Sequence, residues 1–268
     1  MKKIIDAPFV KELTRMTSNM YRQGWDERNG GNVSYLLKEE DLEGYDLSVL
    51  RELKTGFQAD ELIGKYFLIT GTGTYFKNYE EDPETNLGII RIKEDGTTAE
   101  LLWGYKNGGT FTSETPAHLM SHMARLRVDP QHRVVLHTHP QNIMAMTFIH
   151  PIDDREFTRT IWKMNNECIA VFPDGIGTIP WMVCGTNAIG EATAEKMRDY
   201  RIVIWPNHGI YGTGATFDEA FGLVETVEKS AMIYMMVCDK KIINPLTDEN
   251  LKELAAAFKL NYRKDFLD

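Results

Sequence analysis

The chain has 268 residues with 30 Lys+Arg against 39 Asp+Glu, a formal charge of −9, and 43% hydrophobic residues. That balance excludes a disordered or fibrous chain and argues against a general binder of nucleic acid or anionic membranes. A length of this order suits one large α/β domain, and the reading is a single domain over residues 1–268.

In chain order, Phe9, Val10, Leu13, Met16 and Met20 fall at helical spacing and stop at Gly24, which predicts an amphipathic helix over 8–23. The basic start Met1-Lys2-Lys3 has no apolar stretch behind it, and no run reaches membrane-spanning length, so the expectation is a soluble, cytoplasmic protein. Asn32–Leu37 reads as a strand. Residues 38–64 turn polar and acidic and read as a surface excursion. Tyr66–Thr70 is a strand; Leu87–Lys93 and Thr98–Trp103 flank Glu94-Asp95-Gly96 as a hairpin.

Ser113 or Thr115 caps a helix running to about Leu126. Arg133–His139 and Ile169–Phe172 read as strands, Thr186 to about Arg198 as a helix, and Arg201–Trp205 as a strand closed by Pro206. Thr216-Phe217-Asp218-Glu219 is a capping box opening a helix to about Asp239, and Leu246–Leu260 is a last helix. The elements alternate without a strict βαβ beat. The expected fold class is therefore α/β, an α/β/α arrangement on a central mixed, largely antiparallel sheet. Cys168, Cys184 and Cys238 form no C-x-x-C pair and read as reduced core residues.

The sharpest chemical signal is His137-Thr138-His139 at the end of the strand Val134-Val135-Leu136. Side chains at i and i+2 of a strand share a face, so both imidazoles reach one point, where a zinc ion would need a third ligand. His118 and His122 stand at i, i+4, also ligand spacing, but Leu119, Met120, Met123 and Leu126 around them favour partly buried structural histidines. His208 follows a strand and precedes Gly209, as a ligand offered to a pocket would. His132 and His150 sit in polar loop contexts and read as exposed. Glu114 stands at a predicted helix start, where free N–H groups favour an anion. Asn29-Gly30-Gly31-Asn32, Gly71-Thr72-Gly73-Thr74 and the turn into Thr112-Ser113 offer unobstructed backbone N–H groups suited to a phosphate, and none is a P-loop or a dinucleotide fingerprint.

Taken in order, Gly30-Gly31-Asn32-Val33-Ser34, Thr70-Gly71-Thr72-Gly73, Thr112-Ser113-Glu114, His137-Thr138-His139 and His208-Gly209 resemble the class II aldolase/adducin superfamily. Trp25–Asn32, Asn166-Glu167-Cys168, Phe172–Gly175 and Pro180-Trp181-Met182 extend the resemblance over about residues 7–240. The resemblance implies Zn²⁺ held by His137, His139 and His208, one ion per subunit, with Glu114 as the catalytic carboxylate. It implies that Asn29, Asn32, Thr72, Gly73, Thr112 and Ser113 surround the phosphate and the dihydroxyacetone end of the substrate. Thr72 stands where the relatives are expected to carry Ser, and both offer a hydroxyl.

The resemblance further implies a homotetramer with active sites at subunit interfaces, Glu167 reaching a neighbour's site. The implied reaction is reversible cleavage of L-rhamnulose 1-phosphate to dihydroxyacetone phosphate and L-lactaldehyde through a metal-stabilised enediolate. Lys163 and Lys77 have no apolar niche suited to a Schiff base. A pentulose-phosphate epimerase would generally carry Asp at Glu114, and an adducin-like binding module would lack the full histidine set.

Overall fold

A computed structural model of the chain describes residues 2–268; Met1 lies outside them. The first helix, α1 (Pro8–Arg22), stops as predicted, and β1 (Asn32–Leu37) follows. Next come β2 (Arg51–Lys54), β3 (Tyr66–Thr70), the single turn α2 (Pro83–Asn86) and the hairpin β4 (Leu87–Ile92) and β5 (Thr98–Gly104). Helix α3 (Thr115–Leu126) leads to β6 (Val134–Thr138), and the helices α4 (Gln141–Ile149), α5 (Asp154–Met164) and α6 (Glu167–Val171) precede β7 (Gly177–Thr178). The chain ends with α7 (Asn187–Lys196), β8 (Ile202–Trp205), β9 (Gly209–Gly214), α8 (Phe217–Val237) and α9 (Asp248–Ala257).

Among the described residues the strands form one nine-stranded sheet in the order β2-β5-β4-β3-β1-β6-β9-β8-β7. Every pairing is antiparallel except β7 with β8. The expected mixed, largely antiparallel sheet is thus present. Alternation along the strands sorts the side chains. Val33, Tyr35, Val134, Leu136, Ile202 and Ile204 pack on the side of α1, α5 and α8, while Val135, Val203, Trp205 and Tyr211 pack on the side of α3 and α7.

Three expectations need correction. The run at 169–172 is not a strand but the helix α6 and its cap. Cys168, Ile169 and Phe172 are all buried, at helical spacing, and the Asn165 side chain accepts from the Glu167 N–H to start the turn. A four-residue apolar run does not distinguish the two periods. The excursion at 38–64 is not wholly a surface feature. Its β2 closes the sheet edge against β5, and Leu53, Ala59 and Leu62 are buried beneath it. Arg51, Glu52 and Lys54 keep that edge charged, as exposed strand edges are in natural sheets. Of the cysteines, only Cys168 is buried; Cys184 and Cys238 are exposed.

Helix α4, which the sequence reading left out, is anchored by Glu228 of α8. That nearly buried carboxylate accepts from the backbone N–H groups of Asn142 and Ile143 and from the Asn142 side chain, at 2.6–3.1 Å. Removing it leaves orphan donors at the N-terminus of α4. Glu228→Ala is expected to lower the unfolding free energy by about 2–4 kcal/mol and Glu228→Gln by less, read from denaturant midpoints.

Candidate functional site

Antiparallel pairing gathers the candidate residues at one end of the sheet. The start of β1, the ends of β3 and β6 and the start of β9 all lie at that end, because alternate strands run in opposite directions. Across the sheet Asn32 pairs with His137 and His137 with Tyr211, so these three side chains form one row on the face covered by α3. Neither Tyr211 nor β9 was expected from the sequence, since Gly209, Gly212 and Gly214 hide the strand's alternation.

His137, His139 and His208 converge. His137 Nε2 lies 3.2 Å from His139 Nε2 and 3.4 Å from His208 Nε2. Their outer nitrogens are occupied: His137 Nδ1 donates to the Ile210 carbonyl at 3.1 Å, and His139 Nδ1 meets the Glu27 carboxylate at 3.1 Å. Partners of that kind set the tautomer and leave each Nε2 as a lone pair facing inward. Nitrogens about 2.0–2.1 Å from one zinc ion at tetrahedral angles stand about 3.3 Å apart, so the donor type and the spacing both fit such an ion. Burial, reinforced by His208 and His139, holds His137 well below the usual imidazole range. Burial and His139 bring His208 down to about 4. Neutral rings are the form that binds a cation.

Glu114 is the N-cap of α3, the position between the expected caps Ser113 and Thr115, and its side chain does not cap the helix. It turns toward the histidines, with Oε2 at 3.5 Å from His137 Nε2 and Oε1 at 3.7 Å from His208 Nε2. Oε2 accepts from Tyr211 Oη at 2.8 Å and from Asn32 Nδ2 at 3.1 Å. Burial raises its pKa, and those two hydrogen bonds oppose the rise. A carboxylate so placed accepts and releases a proton more evenly near neutrality than a solvated one does.

In front of these groups opens a cavity of about 290 Å³, and all three candidate phosphate segments line it. Asn29, Asn32, Thr72, Gly73, Thr112 and Ser113 are on its wall, with Glu27, Cys184 and both His139 and His208. Gly31 has φ +76°, and a Cβ there would fall 1.9 Å from Asp26 Oδ1. Asp26 itself is buried, takes a hydrogen bond from Thr138 Oγ1 at 2.9 Å, and is pushed by burial well above the usual carboxylate range. Asn32 differs from its expected role in one respect: its amide is already engaged with Glu114 on one side and His118 on the other.

Other expectations fall elsewhere. Glu167 lies exposed on α6 and is not on this cavity's wall. His118 and His122 are fully buried and bonded to Ser34 Oγ, each at 2.8 Å, which makes them structural within this chain. His132, expected to be exposed, is 1% exposed and bonded to His122. His150 is half-buried and reaches Thr160 Oγ1 at 2.8 Å. Cys184, read as core, stands at the cavity within 4.8 Å of ligand atoms of Glu114 and His208. The Gly185 turn after it, with φ +73°, was the sequence signal for a loop there.

A profile described as Class II Aldolase and Adducin N-terminal domain matches residues 11–235. Among curated relatives, the rhamnulose-1-phosphate aldolase of Listeria monocytogenes serotype 4a is 53% identical over 270 residues, covering 100% of this chain and 99% of that one. The rhamnulose-1-phosphate aldolase of Enterococcus faecalis is 51% identical, covering 99% and 96%. Among solved structures, a sugar-phosphate aldolase from Thermotoga maritima superposes with a TM-score of 0.75 at 28% identity, covering 86% of this chain and 94% of that one. An L-fuculose 1-phosphate aldolase, at 20% identity and a TM-score of 0.63 over 97% and 99%, shares the fold.

Gly209 is where the backbone passes closest to the histidine rings. A Cβ there would lie 2.3 Å from the Thr138 carbonyl and 3.0 Å from ring atoms of both His137 and His139. Gly209→Ala is expected to spread the imidazoles and weaken cobalt(II) binding by about 10–100-fold in absorption titrations of the metal-free protein; unchanged affinity would contradict the geometry.

Proposed function

This chain belongs to the class II aldolase and adducin family, and from that premise we propose that it is a zinc-dependent aldolase, an aldehyde-lyase, acting on L-rhamnulose 1-phosphate. It cleaves that ketose phosphate reversibly to dihydroxyacetone phosphate and L-lactaldehyde. The observation that carries the reading is the convergence of three imidazoles beside one buried carboxylate, in a cavity walled by hydroxyl, amide and glycine N–H donors. The substrate is supported by the identity to rhamnulose-1-phosphate aldolases along the full chain.

His137, His139 and His208 would hold the ion. When bound, zinc with neutral ligands keeps its charge and supplies Lewis acidity where negative charge develops on substrate oxygens. The chain's own groups do the rest. Glu114 carries the proton that the carbon skeleton exchanges, its Oε1 being the oxygen that accepts no hydrogen bond among the described residues and its Oε2 pinned by Tyr211 and Asn32. Asn29, Thr72, Gly73, Thr112 and Ser113 bind the phosphate and the dihydroxyacetone end through hydroxyls, an amide and free backbone N–H groups. Asn32 contributes there chiefly by orienting Glu114.

The single-domain reading over 1–268 fits the unbroken sheet. The exposed apolar side chains Phe148, Ile149, Trp181 and Val183 support a homotetramer with interface active sites, in which the exposed Glu167 of α6 would reach a neighbour's cavity. Among the described residues no helix is long and apolar enough to cross a membrane, and a cytoplasmic setting suits a sugar-phosphate enzyme.

Purified protein reconstituted with zinc is expected to release dihydroxyacetone phosphate from L-rhamnulose 1-phosphate faster than from L-fuculose 1-phosphate, and to leave L-ribulose 5-phosphate unepimerised. Failure on the first substrate removes the assignment. Glu114→Gln should lower kcat by about 10²–10⁴-fold with zinc content retained. His208→Ala should lose both zinc, by elemental analysis, and turnover.

A further inference from the structure

Behind Glu114 a chain of buried polar groups runs on from Asn32 into groups that the reaction itself leaves unused. Asn32 Nδ2 donates to Glu114 Oε2 at 3.1 Å, and the other end of the same amide, Oδ1, meets His118 Nε2. His118 Nδ1 is 2.8 Å from Ser34 Oγ, and Ser34 Oγ is 2.8 Å from His122 Nε2. His122 Nδ1 is then 2.9 Å from His132 Nε2, beside the turn that joins α3 to β6. Ser34, His118 and His122 are completely buried. The register explains the placement: Asn32 and Ser34 are two apart on β1 and share the face covered by α3, while His118 and His122 are four apart on the helix surface above them.

The chemistry of each link leaves only one direction. A carboxylate oxygen accepts, so Asn32 must present its N–H to Glu114 and its oxygen to His118. The reversed amide would set oxygen against oxygen at the 3.1 Å contact. His118 must therefore carry its proton on Nε2, which makes Nδ1 an acceptor for the Ser34 hydroxyl. Ser34 Oγ then accepts from His122 Nε2–H, and His122 Nδ1 accepts from His132 Nε2–H. Every donor points toward Glu114, and bonds aligned head to tail strengthen one another. Burial brings His118 and His132 down to about 3 and holds His122 well below the usual range, so the chain stays uncharged. It orients a group; an imidazolium passing along it would be too costly for it to serve as a proton conduit.

We propose that His132, His122, Ser34, His118 and Asn32 act as one directional positioning chain that holds Glu114 with Oε2 pinned and Oε1 presented to the substrate. The inference rests on the reading of Glu114 as the carboxylate of the reaction, and its test separates the two. Nitrogen-15 histidine spectra of the zinc-loaded wild-type protein should show His118, His122 and His132 neutral and protonated at Nε2. A proton on Nδ1 of any of the three would overturn the chain, whether or not the enzyme turns over L-rhamnulose 1-phosphate.

Kinetics supply the second arm. His118→Leu should lower kcat about 10–100-fold with zinc content unchanged and KM within about twofold, because the carboxylate is displaced while the substrate's own contacts remain. His118→Gln, whose amide N–H replaces the donor near Nε2, should recover most of that loss. Ser34→Ala breaks the same chain with a smaller change of volume and should act as His118→Leu does if the leucine variant does not fold. Equal losses in His118→Leu and His118→Gln, or loss of zinc alongside kcat, would reduce these residues to packing.

Discussion

Three imidazole lone pairs aimed at one point repel one another, and the structure holds them 3.2–3.4 Å apart nonetheless. That arrangement survives only because each ring is over-determined from outside. The Ile210 carbonyl and the Glu27 carboxylate take the outer N–H groups of His137 and His139. The turn at Trp205–His208, with Asn207 in the left-handed region at φ +59°, swings His208 back over the pair. A site organised in this way is complementary to a cation, and the strain of assembling it is met during folding by the sheet.

The sheet meets it through register. Because β1, β6 and β9 are antiparallel neighbours, Asn32, His137 and Tyr211 occupy one row, and a one-residue slip of any of these strands would send its member to the opposite face. Gly209 permits β9 to pass close to β6, and Gly31 permits the approach to β1 to bend around Asp26. Helix α3 then lies across the same face, so that its N-cap delivers Glu114 to the front of the row and its next two turns deliver His118 and His122 to the rear. Asn32, Ser34, His118 and His122 bond one another within that layer, which is the condition under which a polar interior costs little and specifies much.

Much of this was legible in the chain. The strand 32–37, the strand 66–70, the helix ending at Leu126 and the long helix opened by Thr216 all have the period and the end signals that local physics demands. The opening helix has them too. What misled was local ambiguity. Cys168–Phe172 is too short for its apolar run to declare a period, β9 is too rich in glycine to show alternation, and β2 is an edge whose charges resemble a solvated loop. Cys184 and His132 exchanged their expected environments, since neither residue type states whether a neighbouring element will cover it.

For the site, residue types and their order alone singled out His137, His139, Glu114 and the three glycine-bearing turns, because strand geometry places i and i+2 together and glycine leaves N–H groups open. Spacing alone left His208 and the His118–His122 pair open as the third imidazole; the resemblance pointed to His208, and the folded chain brings His208 beside the pair His137 and His139. Both spacings are chemically adequate, and the choice depends on which strand end faces His137. Tyr211, Glu27 and the relay through Ser34 were equally out of reach, each being brought in from more than 70 residues away along the chain by pairing of strands or packing of a helix. Periodicity and capping act over a few residues and can be read directly; contacts across a sheet depend on register, which the whole molecule settles at once.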